Sequence, residues 1–177
     1  MQIQIGCRVA IAVLLAAAPA THASDGIEAA GDALQYVLPV TSAGLTWYHH
    51  DGEGALQLAE SLGATLAVTF GLKYSVHETR PNGGQHSFPS GHTSVSFASA
   101  EFLRKRYGWE YGVPAYAAAS FVAYSRVESN KHHPKDVVAG AAIGILSSYI
   151  FTKPYQGWNV SLGYEDKSFL LTFNRDW

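Results

Sequence analysis

Apolar residues recur at helical spacing along most of the chain. The spacing predicts a first helix over residues 27–38 and a second over residues 53–80. A third helix over residues 93–107 has a clear start and stop, because Ser90 can cap its first turn and Gly108 follows its last residue. Three helices are therefore expected within the first 107 residues.

Two prolines mark the starts of further helices. Pro114 suits the first turn of a fourth helix that ends at residue 126, and Pro134 suits the first turn of a fifth that reaches residue 152. Both segments are rich in Ala and are apolar nearly all round, and the fifth also contains Gly140 and Gly144. Because small residues permit close helix contact, we expect these two helices to be central.

The hydrophobic period changes to two near the C-terminus. Apolar and polar residues alternate over residues 158–164 and again over 169–173, with a turn expected at 165–167. Since an isolated hairpin is marginal in water, it should pack on the helices, pair with a second chain or touch a membrane. The expected fold class is all-α, a compact bundle of about five main helices with a C-terminal β-hairpin.

The N-terminus has the features of an export signal. Arg8 precedes an apolar run over residues 9–19, and small residues near Ala23 suit a signal peptidase. We expect residues 1–23 to be a signal peptide, residues 24–177 to form one domain, and the protein to be periplasmic or otherwise exported, with membrane association left open. A membrane anchor or a buried helix is the alternative, although a dozen apolar residues is short for a bilayer.

Composition narrows the range of partners. Cys7, the only cysteine, lies in the export segment, so the remaining chain can form no disulfide. Without Arg8, eleven Lys and Arg face fourteen Asp and Glu, which disfavours nucleic acid as the main partner. The uncharged stretch 33–50 is interrupted by polar residues, so we expect a soluble or membrane-surface domain instead of a membrane-spanning one.

Two clusters before residue 94 carry candidate chemistry. Lys73 and Arg80 are seven residues apart, so both would project from one face if the second helix continues to Pro81. Ser90 as a cap would leave the N–H groups of Gly91 and His92 free to bind an anion at the helix start. Taken separately, each cluster is better explained by a simpler structure, a solvated basic face for the first and an ordinary capped helix for the second.

A third cluster joins a histidine to a carboxylate. Arg126 ends the fourth helix, His132 follows after five intervening residues, and Asp136 stands in the first turn of the fifth helix. Asp136 could accept a hydrogen bond from one ring nitrogen of His132 and leave the other nitrogen as a nucleophile. A first-turn carboxylate beside a surface histidine is the simpler alternative.

Together, the patterns K-x6-R-P, P-S-G-H and S-R-x5-H-x3-D resemble the type 2 phosphatidic acid phosphatase superfamily, which includes bacterial acid phosphatases and vanadium haloperoxidases. The motifs span residues 73–136, and the helix arrangement matches over about residues 50–152. The resemblance implies a helical bundle with its site at the helix ends. By motif position it implies three groups of site residues: the phosphate-binding cations Lys73, Arg80 and Arg126, the further phosphate ligands Ser90 and Gly91, and the catalytic residues His92 (general acid), His132 (nucleophile) and Asp136 (which orients His132).

Two residues near the nucleophile depart from the family pattern. Asn130 stands where many relatives have glycine, and His133 duplicates the histidine. Spacing selects His132 as the nucleophile, but an adjusted loop could bring His133 nearer to the phosphate. Both histidines therefore remain candidates at this point.

The sequence predicts a metal-independent phosphatase that cleaves phosphate monoesters through a phosphohistidine. Three fixed cations can stabilise the transition-state charge, so no metal and no cofactor are expected. The substrate is a phosphorylated small molecule or a lipid phosphate, since the motifs recognise only the phosphoryl group. Two alternatives stay open: a haloperoxidase that binds vanadate at the same site, and a non-enzymatic envelope protein that only binds phosphate.

Overall fold

The computed structural model describes residues 23–155, 158–165 and 168–175. The expected signal segment therefore lies outside the described residues, apart from Ala23. Residues 23–155 form five helices, with α1, α3 and α5 running in one direction and α2 and α4 in the other. Their bounds are α1 Ala23–Tyr48, α2 Gly52–Ser75, α3 Gly91–Tyr107, α4 Trp109–Glu128 and α5 Pro134–Phe151.

The central helix is α3, which packs against all four other helices, whereas α4 and α5 contact each other only slightly. The expectation that the fourth and fifth helices are central is therefore wrong. Ala98 and Ala100 of α3 are fully buried. A Cβ at Gly144 of α5 would lie 2.2 Å from the carbonyl oxygen of Ser94, so glycine permits the close approach of α5 to α3.

Three helix boundaries differ from prediction. α2 ends at Ser75 because Val76 is extended, so Arg80 lies on the loop over residues 76–90 and does not share a helix face with Lys73. α4 begins at Trp109, which places Pro114 inside the helix and not at its start. α1 continues beyond the predicted end at residue 38, through Pro39, to Tyr48. Proline costs a helix one hydrogen bond, and tertiary packing can offset that loss.

The expected fold class requires a correction at the C-terminus. Residues 23–155 are helical and contain no strand, so the bundle is complete without a β-hairpin. Strands β1 Trp158–Glu165 and β2 Ser168–Arg175 pair only with each other, antiparallel, and among the described residues no helix packs against them. The fold is thus a five-helix bundle, and the predicted fold class that included a C-terminal β-hairpin is wrong; of the three arrangements expected for the hairpin, packing on the helices is not seen among the described residues.

Buried apolar side chains form a cluster towards one end of the bundle. The cluster lies in the half of the bundle where α3 ends and includes Leu45, Leu58 and Phe102.

By length and composition, one described helix, Gly52–Ser75, could cross a membrane. That observation departs from the expectation of a domain without a membrane-spanning segment.

Candidate active site

His132 lies in a short loop between α4 and α5. The loop folds back on the end of α4, because the carbonyl oxygen of Arg126 accepts hydrogen bonds from the backbone of Lys131 at 3.0 Å and of His132 at 3.1 Å. Asn130 in this loop has φ of 54°, a left-handed conformation that glycine adopts freely and asparagine tolerates better than most residues. Asparagine can therefore replace the glycine of the family pattern without changing the loop.

His132 is buried in a cationic environment. Its side chain is 4% exposed. Burial, together with the charges of Arg80 and Lys73, lowers the pKa of His132 to about 4, and Asp136 opposes this shift only in part. The imidazole is consequently neutral at physiological pH, as a nucleophile must be.

Asp136, in the first turn of α5, is fully buried beside His132. One of its oxygens, Oδ2, accepts hydrogen bonds from the Ser87 hydroxyl at 2.5 Å and from the His133 backbone N–H at 2.9 Å. The same oxygen lies 3.5 Å from His132 Nδ1, which is too long for a good hydrogen bond. Burial raises the pKa of Asp136, but the hydrogen bonds outweigh burial and leave it below its usual value.

The structure distinguishes the two adjacent histidines. His133 stands at the N-cap position of α5, and its side chain is 37% exposed. Its Nδ1 lies 3.7 Å from Glu78 Oε1 and 3.5 Å from Asp136 Oδ2. His132 is the more buried of the pair, and the charges of Lys73 and Arg80 act on it.

The start of α3 has the predicted cap. The Ser90 hydroxyl accepts hydrogen bonds from the Thr93 hydroxyl at 3.0 Å and from the Thr93 backbone at 3.5 Å, and the Ser90 backbone donates to the carbonyl oxygen of Asp136 at 3.0 Å. Ser90 thus ties α3 to α5, and it is fully buried. Gly91 leaves open space, since a Cβ there would meet only a methyl group of Thr69 at 3.9 Å.

The three predicted cations come from three different elements. Lys73, in the last turn of α2, donates to the carbonyl oxygen of His86 at 2.8 Å. Arg80 lies on the loop, and within the described part of the chain its buried Nε has no hydrogen-bond acceptor. Arg126, in the last turn of α4, is 3% exposed. An unused buried donor among fixed cations favours an anionic ligand at this position.

His92 and Arg126 share a partner that the motifs do not contain. Asp32 of α1 has one carboxylate oxygen 3.0 Å from His92 Nε2 and 2.7 Å from Arg126 Nη1. Burial and the Arg126 charge hold the pKa of His92 below its usual value, and Asp32 acts in the opposite direction. Sequence reasoning missed Asp32, because a single acidic residue in a helical pattern carries no signal. It also gave no role to Ser87, which lies next to the P-S-G-H motif.

A group of side chains beside Asp136 has the composition of a cation site. Ligand atoms of Glu78, His133 and Asp136 lie within 4.8 Å of one another. However, Glu78 already pairs with Lys135 at 2.5 Å, and Asp136 accepts two hydrogen bonds. Because this donor set is engaged internally and lies next to positive charges, we assign no metal to it.

The comparisons with known proteins agree with this geometry. The family model described as PAP2 superfamily matches residues 82–159. That segment contains His92, Arg126, His132 and Asp136. Over this segment, which is less than half of the chain, the sequence is similar to the superfamily of type 2 phosphatidic acid phosphatases.

Individual relatives point in the same direction. The chain is 39% identical over 124 residues to lipid A 1-phosphatase of Porphyromonas gingivalis, a match that covers 62% of this chain and 27% of that protein. The structure resembles that of Aquifex aeolicus LpxE with a TM-score of 0.63, 21% identity and coverage of 74% and 87% of the two chains. It also resembles the first transmembrane PAP2-type phosphatidylglycerolphosphate phosphatase, from Bacillus subtilis, with a TM-score of 0.57, 25% identity and coverage of 72% of each chain.

Proposed function

We propose that this protein is a metal-independent phosphatase that hydrolyses a lipid phosphate through a phosphohistidine on His132. One observation carries the proposal: the charge of Arg80 acts on both His92 and His132. Both imidazoles therefore lie near the same cation, at the end of the bundle where the Ser90 backbone donates to the carbonyl oxygen of Asp136 at 3.0 Å, and a nucleophile and a general acid need such an arrangement. The similarity of residues 82–159 to the PAP2 superfamily supports the same reaction.

The phosphoryl group would be held by the three cations of the site. Arg80 has an unused donor, and Arg126 uses only three of its five N–H groups on Ser125, Asp32 and the carbonyl oxygen of Glu28. The open backbone at Gly91 lets an anion approach the start of α3. Fixed positive charge and backbone donors can stabilise the transition state of phosphoryl transfer.

The reaction would proceed in two displacements. In the first, the free ring nitrogen of neutral His132 forms a bond to phosphorus while the bond from phosphorus to the alcohol oxygen breaks. Protonated His92 donates its proton to the leaving oxygen. In the second, neutral His92 accepts a proton from water, whose oxygen bonds to phosphorus as the bond to His132 breaks. Inorganic phosphate leaves, and both histidines return to their starting states.

The polarity of the bundle supports a lipid environment. Small polar residues lie buried between the helices, among them Ser61, Thr65 and Thr69 of α2. Large apolar residues of the same helix, such as Leu66 and Phe70, are exposed. This distribution is the reverse of a soluble domain and is typical of helices that face lipid. We infer that the bundle is embedded in a bilayer. The end of the bundle that holds His92 and His132, called the site end, lies outside the hydrocarbon.

The orientation of α1 supports an exported site. Asp32 and Glu28 show that α1 begins at the site end of the bundle. The expected export segment, residues 1–23, runs directly into that end. The site would then face the periplasm or another exported compartment, and residues 24–177 would form the phosphatase domain.

A substrate panel tests the proposal. The protein in detergent or nanodiscs is assayed for phosphate release from phosphatidate, phosphatidylglycerophosphate, isoprenyl diphosphates, lipid A and a soluble aryl phosphate, with EDTA present. Turnover of at least one lipid phosphate is expected, with rapid-quench trapping of an acid-labile phosphoprotein. A purified, folded protein that binds phosphate but releases none from any substrate would contradict the proposal and favour a binding protein.

A further inference from the structure

Asp32 lies outside every sequence motif of the site, yet it contacts two of the motif side chains. A single carboxylate oxygen lies 3.0 Å from His92 Nε2 and 2.7 Å from Arg126 Nη1. The residue is on α1, before the segment that the family model matches. Since one oxygen serves both partners, the carboxylate links the proposed general acid to a proposed phosphate-binding cation.

The position of Asp32 is fixed by close packing of α1 on α4. A Cβ at the neighbouring Gly31 would lie 1.9 Å from the Ser125 hydroxyl oxygen, so only glycine permits this approach. Arg126 Nη2 donates to the carbonyl oxygen of Glu28 at 2.9 Å, and Lys131 pairs with the Glu28 carboxylate at 3.0 Å. The first turns of α1 are therefore held against the site at several points.

We propose that Asp32 is a positioning residue that holds His92 ready to protonate the leaving alcohol. The carboxylate accepts a hydrogen bond from His92 Nε2–H and so directs the proton transfer to Nδ1. When His92 is protonated, Nδ1–H is the proton that the leaving oxygen receives. Afterwards the neutral ring keeps its proton on Nε2, and Nδ1 is free to accept a proton from water. The inference rests on the proposed phosphatase function.

The charges around His92 make this role testable by pH. His92 faces Asp32 from α1, Arg126 from α4 and Arg80 from the loop before α3. Without the carboxylate, two cations would act on the imidazole with no anion to balance them. Removal of the Asp32 charge is therefore expected to lower the pKa of His92 and deplete its protonated form at neutral pH.

The experiment compares Asp32→Asn with wild type and Asp32→Glu on two substrates. A lipid phosphate has a poor alkoxide leaving group that needs a proton, whereas p-nitrophenyl phosphate has a good one. Asp32→Asn should lower kcat on the lipid phosphate by about 10–100-fold and on the aryl phosphate by much less, because general acid catalysis contributes about 10²–10⁴-fold. The alkaline limb of the lipid pH profile should move to lower pH, and Asp32→Glu should recover part of the rate.

Other outcomes separate the inference from the proposed function. An equal loss on both substrates with an unchanged pH profile, or a rise in KM alone, would mean that Asp32 acts through Arg126 or the fold, and the inference is wrong. If Asp32→Asn does not fold, the profile of Asp32→Glu decides: an alkaline limb and a substrate ratio identical to wild type, at a lower rate, would also overturn it. A wild-type protein without turnover would overturn the proposed function and this inference together.

Discussion

Each end of the bundle contains a buried arginine paired with an aspartate, but the two pairs differ in what surrounds them. Arg106 and Asp51, at the end of α3, are both 5% exposed and form a bidentate pair at 2.5 and 2.7 Å. At the site end, Arg126 is 3% exposed, whereas Asp32 is 44% exposed. The Arg106–Asp51 pair is therefore shielded from solvent, whereas the Arg126–Asp32 pair is exposed to solvent at Asp32.

The difference lies in how fully the donors are used. Arg106 also donates to Gln57 and to the carbonyl oxygens of Lys153 and Pro154, and Tyr107 donates to Asp51 at 2.8 Å. A cavity of about 430 Å³ borders this pair, but four of the five N–H groups of Arg106 already have acceptors among the described residues. Among the described residues, two N–H groups of Arg126 have no acceptor. Unused charge next to solvent thus distinguishes a candidate binding site from a structural ion pair.

The largest effect expected at the site end comes from His132→Ala. Loss of the nucleophile should lower kcat by about 10⁴-fold or more without destabilising the fold, because the imidazole is held neutral in a cationic pocket. Phosphate release and thermal unfolding measure the two quantities. His133→Ala is the matched control and should lose less than about tenfold. The reverse ranking would assign the nucleophile to His133.

Replacing each arginine by alanine tests the comparison directly. Arg106→Ala should lower the free energy of unfolding by about 3–5 kcal/mol, because it leaves the buried Asp51 carboxylate without its positively charged partner. Arg126→Ala should lower kcat/KM by about 10²–10³-fold with a much smaller loss of stability, because Asp32 can turn to water. Chemical denaturation and kinetics on the same preparations measure both. Equal stability losses would show that the two pairs are alike.

The pH dependence follows from the lowered pKa of His132. Protonation near pH 4 removes the nucleophile, so activity should fall about tenfold per pH unit below about pH 4. The folded-state pKa lies below the unfolded value of about 6.5, so protonation favours unfolding. Stability from this group is complete above pH 6.5 and is lost as the pH falls towards 4. In His132→Ala this part of the stability loss should vanish, and its persistence would contradict the assignment.

The smallest expected effect concerns the loop that carries His132. Asn130→Gly should change the free energy of unfolding by less than about 1 kcal/mol, because glycine also adopts a positive φ. Asn130→Val should cost about 1–2 kcal/mol and lower kcat, since a β-branched residue resists this conformation. Thermal unfolding and initial rates provide the measurement. Equal behaviour of the two variants would mean that the loop does not require the left-handed backbone.

The sequence by itself determined the local features of this protein. Helical periodicity, the Ser90 cap and Pro134 predicted most of the bundle, because these signals act within one or two turns. The motifs also selected residues that the fold gathers at one end, including His132 and Asp136. The roles of these residues come from the resemblance and remain predictions, whereas the spacing alone indicated only which side chains could lie close together.

Only the tertiary structure decided how distant elements meet. Because α2 ends at Ser75, Arg80 lies on a loop. The small buried residues of α3 allow the other four helices to pack against it, and the hairpin takes no part in the bundle. Asp32 reached His92 from sixty residues away along the chain. Such contacts depend on packing between faces whose residues are far apart in sequence, and no local pattern records them.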